Sequence, residues 1–153
     1  MGFELRDHTA DVAVSATGES LEAVFAAVAD GLAAASCDDI PAADAGGSGD
    51  RFSFSVTAEN REALLFDSLD ELIYLRDVRA ELPVDHCVDS ITVDESADGS
   101  EMWSLEGSAR GIPLTDVDAR EVKAVTYSEM RLERVDGASG TDEGWDAYVV
   151  FDV

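Results

Sequence analysis

Only two stretches of this chain carry a helical period, and their order constrains the fold more than any other feature. After Ser20, "LEAVFAAVADGLAAA" places Leu21, Val24, Phe25, Val28 and Leu32 on one stripe. After Asn60, "REALLFDSLDELIYLRDV" places Leu65, Leu69, Leu72 and Ile73 on one face and leaves Asp67, Asp70 and Glu71 on the wet side. Ser20 and Asn60 are the expected N-caps, and Glu22 lies in the first turn where the helix dipole favours it. The other ordered stretches read as strands. Two short strands are expected over 3–7 and 11–17, where Val12, Val14 and Ala16 alternate with smaller or polar residues, and a third runs from Phe52 to Val56. Four more are expected over 87–95, 102–112, 121–135 and 145–153. Asp98-Gly99 marks a turn, whereas the longer insert after Asp136-Gly137 suits a wide loop. Residues 37–50, rich in Gly, Asp and Ala without apolar periodicity, read as an exposed connection. Two helices bracketing one strand, followed by a meander, predict an α+β fold: a single two-layer domain over residues 1–153, with two helices packed on one face of a mostly antiparallel sheet.

The apolar fraction of 46% is enough for one core at this length. No run approaches the roughly 18 apolar residues of a membrane span, and the first residues lack a basic segment leading into an apolar one. A cytoplasmic protein without membrane attachment is expected. The charge is extreme: 34 acidic against 10 basic residues give −24, and the basic set is all arginine except Lys123. In ordinary salt such a surface repels phosphates and argues against strong direct nucleic-acid binding. It fits a halophilic source, because at molar salt the Debye length falls to about 3 Å and self-repulsion is screened.

Candidate chemistry gathers at the two ends. Asp7, His8 and Asp11 stand in "DHTADVAV", where the first strand pair closes. The plainer reading is a local turn made by Asp7 or Thr9. The other reading starts from "VVFDV": Asp152 and the carboxylate of Val153 follow an apolar strand, and acidic groups there must reach water or a cation. If that strand lies beside residues 11–17, Asp11, Asp152 and Val153 converge as oxygen donors suited to Ca²⁺, Mg²⁺ or Mn²⁺. Lys123, inside the strand-like "EVKAVTY", could contact a phosphate or a partner carboxylate, or could lie on the sheet with its head in water. Cys37 and Cys87 are expected to be small buried residues; His86 and Cys87 are neighbours, but adjacent strand residues face opposite ways. No nucleophile elbow, P-loop, dinucleotide fingerprint or zinc-protease motif is present, which disfavours an autonomous enzyme. The alternative within enzyme chemistry is a metal-dependent phosphoester hydrolase using Asp11 and Asp152 to activate water.

These segments resemble the archease family. "FELRDHTADVAVSATGESLEAVFAAVADGL" is similar to its N-terminal signature, "REALLFDSLDELIYLRD" to its second-helix block, and "EVKAVTYSEM" with "VVFDV" to its C-terminal strands. The resemblance implies a non-catalytic protein cofactor of the GTP-dependent RNA-splicing ligase in tRNA splicing, promoting ligase guanylylation and multiple turnover. It also implies a divalent metal, calcium in that family, held at the positions of Asp11, Asp152 and Val153, with Asp7 and His8 in support. Lys123 matches the family lysine and would assist the ligase. The chain departs from the family pattern at Ser128, where a histidine is usual, so any role of that imidazole is missing here.

Overall fold

A computed structural model describes residues 2–7, 11–37, 50–117, 119, 122–136 and 143–153. The elements run β1 (Gly2–Asp7), β2 (Asp11–Gly18), α1 (Leu21–Ser36), β3 (Arg51–Ala58), α2 (Arg61–Arg79), β4 (Glu81–Glu95), β5 (Glu101–Pro113), β6 (Ala124–Asp136) and β7 (Glu143–Asp152), with a short 3₁₀ turn at Leu114–Asp116. The α+β class and the antiparallel pairing are as the sequence indicates. The strands divide between two sheets, a four-stranded one in the order β1-β2-β7-β6 and a three-stranded one in the order β3-β5-β4.

Both helices begin where the caps predict. Ser20 Oγ accepts the Ala23 N–H at 3.0 Å, and Asn60 Oδ1 accepts the Ala63 N–H at 2.8 Å. Asn60→Ala is expected to lower stability by about 1 kcal/mol, because it leaves a first-turn donor without its acceptor; urea denaturation at constant m-value would measure it. The helices touch both sheets: α1 packs on β1, β2 and β7 and also on β4, while α2 packs on β3, β4, β5 and β6. This explains why α1 departs from the single stripe read from its sequence. Every residue from Val24 to Ala29 is buried, since the helix is covered from two sides. At Gly31 a Cβ would stand 2.5 Å from Val14 Cγ1, so the glycine permits α1 to approach β2 closely.

The main core joins Val12, Val14 and Ala16 of β2 with Ala147, Val149 and Phe151 of β7 under Val24, Val28, Leu65, Leu69 and Leu72 of the helices. These strand positions alternate, so one face of the four-stranded sheet is the core face. Strand β4 starts at Glu81, well before the expected Cys87, because Leu82 and Val84 are buried and pair with β5. Pro83 obscured this in the sequence, yet it is tolerated because β4 is an edge strand. A second correction concerns Cys87. It is exposed, whereas Cys37 is buried as expected. A register shift lies between Val84 and Cys87, and there Asp85 takes a left-handed φ of 50°.

Candidate metal centre

The acidic end of β7 lies against the first acidic motif. In the β2–β7 ladder Asp11 is the register partner of Asp152, and on the other side of β7 the partner of Asp152 is Ala124. Facing residues in such ladders have Cα atoms about 5 Å apart. The side chain of Asp152 is exposed, as is Val153 just beyond it. Asp7 closes β1 opposite Val12, one register step from Asp11. His8 lies outside the described residues, and the side chains of Asp7 and Asp11 do too. Among the described residues, which do not include the side chain of Asp11, no three His, Cys, Asp or Glu side chains form a metal-binding group.

Lys123 is placed differently from its expected position within a strand. Strand β6 starts at Ala124, and Lys123 precedes it with an exposed side chain. Its backbone N–H donates to the Asp152 carbonyl at 2.8 Å, which extends the β6–β7 pairing by one bond. The main chains of Lys123 and Asp11 therefore flank Asp152 on its two sides.

Arg76 supports this arrangement and was not singled out from the sequence. It is 7% exposed near the end of α2, and its Nη1 donates to the Val122 carbonyl at 2.8 Å. Asp77 pairs with the same guanidinium at 3.0 Å. The helix is thereby tied to the residue immediately before Lys123. A signal was available: Arg76 continues the Leu69, Leu72, Ile73 spacing, so the helical period puts a cation on the buried face. Arg76→Met keeps the apolar stem and leaves the Val122 carbonyl without its donor. The expected loss is about 1–3 kcal/mol, with faster hydrogen exchange at the Lys123 amide. An unchanged denaturation midpoint and exchange rate would remove Arg76 from this role.

Comparison with known proteins now bears on this geometry. The archease protein family model matches residues 3–153. The archease of Pyrococcus furiosus is 32% identical over 99% of this chain and 98% of its own length, and that of Methanothermobacter thermautotrophicus is 34% identical over 89% and 91%. The chain belongs to the archease family. The solution structure of Methanobacterium thermoautotrophicum protein 1598 superposes with a TM-score of 0.70 at 30% identity, covering 99% of both chains. The crystal structure of an archease from Thermotoga maritima, described as a possible chaperone, gives 0.59 at 21% identity over 98% of this chain and 96% of its own. That last likeness bears on the fold alone.

Elsewhere among the described residues of this archease-family chain, polar groups pair with one another. Asp30 Oδ1 accepts the His86 backbone N–H at 3.0 Å and lies 2.8 Å from His86 Nδ1, so the carboxylate makes Nδ1 the protonated ring nitrogen. Nε2 is buried without a hydrogen-bond partner among the described residues, beside a cavity of about 10 Å³ lined in part by Leu32, Leu72 and Arg76. That volume suits one water. Cys87 is exposed whereas the imidazole is buried. Its Sγ donates to Asp89 at 3.5 Å, and that bond, with burial and the negative carboxylate, pushes the thiol above its ordinary range. A thiol held protonated is a poor nucleophile. Among the described residues no helix is long and apolar enough to cross a membrane.

Proposed function

We propose that this protein is a non-catalytic accessory factor of the GTP-dependent RNA-splicing ligase in tRNA splicing, acting in the cytoplasm of a halophilic cell. In this reading it promotes ligase guanylylation and multiple turnover, and Asp11, Asp152 and Val153 hold a divalent cation. The observation that carries it is the register of β7: Asp11 and Asp152 occupy facing positions although nearly the whole chain separates them. Two aspartates with the main-chain oxygen of Val153 make an all-oxygen donor set, which suits Ca²⁺ first and Mg²⁺ or Mn²⁺ as alternatives. When bound, such an ion supplies positive charge that offsets phosphate oxygens in a partner's active site. The chain's own residues do the rest. The Lys123 N–H and the β2 ladder fix the main chain at Asp152, the exposed Lys123 side chain adds a mobile cation beside it, and Asp7 and His8 support the motif. With only 10 basic residues against 34 acidic ones the chain offers few cations to hold phosphates, so the RNA is reached through the ligase.

The test is multiple-turnover ligation by a cognate ligase at molar potassium chloride, with and without this protein. The expected result is more than one product per ligase only when the protein is present, and no ligation or hydrolysis of RNA or GTP by the protein alone. An active ligase that gains nothing overturns the reading. Turnover of phosphoesters by the protein alone, lost in Asp11→Ala, would instead identify a hydrolase.

A further inference from the structure

Strand β6 contains a bulge that pairing alone does not require. Between Thr126, opposite Val150, and Arg131, opposite Tyr148, β6 advances five residues while β7 advances two. Within the bulge Glu129 takes a left-handed φ of 58°, a conformation that disfavours a side chain with a Cβ. Such backbone strain persists where the surrounding structure holds it, and it concentrates at binding sites. The product of this bulge is Tyr127, 56% exposed, with its ring stacked on Phe66 of α2 at a centroid distance of 4.1 Å and an interplanar angle of 4°.

Two carboxylates, Asp67 and Glu59, act on this aromatic pair. Partial burial, then the negative charges of Asp67 and Glu59, push the Tyr127 hydroxyl above its ordinary range, and burial with Asp70 and Glu59 raises Asp67 likewise. The groups are therefore within electrostatic reach of one another. Among the described residues neither Asp67 nor Glu59 has a hydrogen-bond or ion-pair partner, and the neighbouring Arg61 is turned to Glu62 and to the Trp145 ring.

We propose that the Phe66–Tyr127 stack, with Asp67 and Glu59 beside it, is a docking surface for an arginine side chain presented by a basic segment of a partner protein. A flat aromatic face and nearby carboxylates are complementary to a guanidinium, which stacks on a ring and donates a planar fork of hydrogen bonds to carboxylates. Lysine satisfies only the charge. A nucleic-acid base could stack on the same ring, but its phosphates would meet the carboxylates. A second copy of this chain has only nine arginines scattered among 34 acidic residues and so presents no basic segment. This inference stands apart from the metal reading, since it uses none of Asp11, Asp152 or Lys123.

The test is an NMR titration of the intact protein at molar potassium chloride, where long-range attraction is screened and close contact persists. The probes are the blocked tripeptides acetyl-Gly-Arg-Gly-amide and acetyl-Gly-Lys-Gly-amide, with a uridine oligonucleotide as the third. Saturable shifts of the Tyr127 and Phe66 ring signals are expected with the arginine peptide, with an affinity about fivefold above that for the lysine peptide. Tyr127→Leu and Asp67→Asn should each weaken it about fivefold with circular dichroism unchanged. If Tyr127→Leu perturbs folding, Asp67→Asn decides. Equal binding of the two peptides, no shift at Tyr127, a response to the oligonucleotide alone, or shifts that track protein self-association would each overturn the proposal.

Discussion

A chain carrying Asp152→Asn is expected to fold normally and to lose divalent binding and ligase stimulation together. The side chain is exposed, and the bonds that organise its position run through the backbone: the carbonyl accepts the Lys123 N–H, and the residue pairs with Asp11 and Ala124. Asparagine leaves all of these in place and removes one of the two carboxylates of the proposed oxygen donor set, whose affinity would follow its charge. Divalent affinity by calorimetry should fall on the order of 100-fold, since even outer-shell losses reach about 10–100-fold. A thermal shift supplies an independent readout. If the site binds as proposed, Ca²⁺ at 100 times its dissociation constant should stabilise the wild type by about 2.7 kcal/mol, and the variant should show almost none of that increment. Divalent uptake equal to wild type would refute the ligand set. Lost uptake with full ligase stimulation would make the ion structural only.

The second large effect lies one residue earlier. Phe151 is wholly buried, stands between Val12 and Val125 in register, and is the largest fully enclosed side chain among the described residues. Phe151→Ala removes its burial and opens a cavity where both sheets and helices contribute to one core, which costs about 3–5 kcal/mol. Against a total stability of about 5–15 kcal/mol this is about a fifth of the reserve or more. For a chain of this size the midpoint should fall by roughly 6–20 °C. A change below about 1 kcal/mol would mean that the site collapses to fill the space, and the core around β7 would be looser than its burial implies. The contrast with Asp152→Asn is the useful part. Neighbouring residues on one strand face opposite ways, so one variant should report on the core and the other on the exposed edge.

Much of this arrangement is written locally. Ser20 and Asn60 are visible as caps because a side-chain oxygen beside a helical period satisfies a first-turn donor, and both do so. The alternation of Val12, Val14 and Ala16 gives the core face directly. The meeting of Asp11 with Asp152 was legible only as a condition, since an apolar strand ending in acidic groups needs an outlet but does not say which strand lies beside it. Pairing with β2 is a long-range choice that periodicity does not encode. The division into two sheets was not legible for the same reason. Local irregularities were hidden differently: Pro83 masked the start of β4, while nothing in "TYSEMR" announces a bulge with Glu129 in the left-handed region, a conformation commoner for Gly or Asn. Cys87 was misjudged because burial propensity is an average, and this thiol falls on the outer face of an edge strand.

The position of β7 between β2 and β6 has a consequence for biosynthesis. Those two strands form no ladder with each other, and the strand that joins them comes later in sequence than either. While the polypeptide emerges from the ribosome, β1 and β2 can form a hairpin, but β2 and β6 each keep an open edge until residues 143–152 are free to insert. Closing the four-stranded sheet is thus a late, entropically demanding step. Until then those two edges are open templates for pairing with another chain.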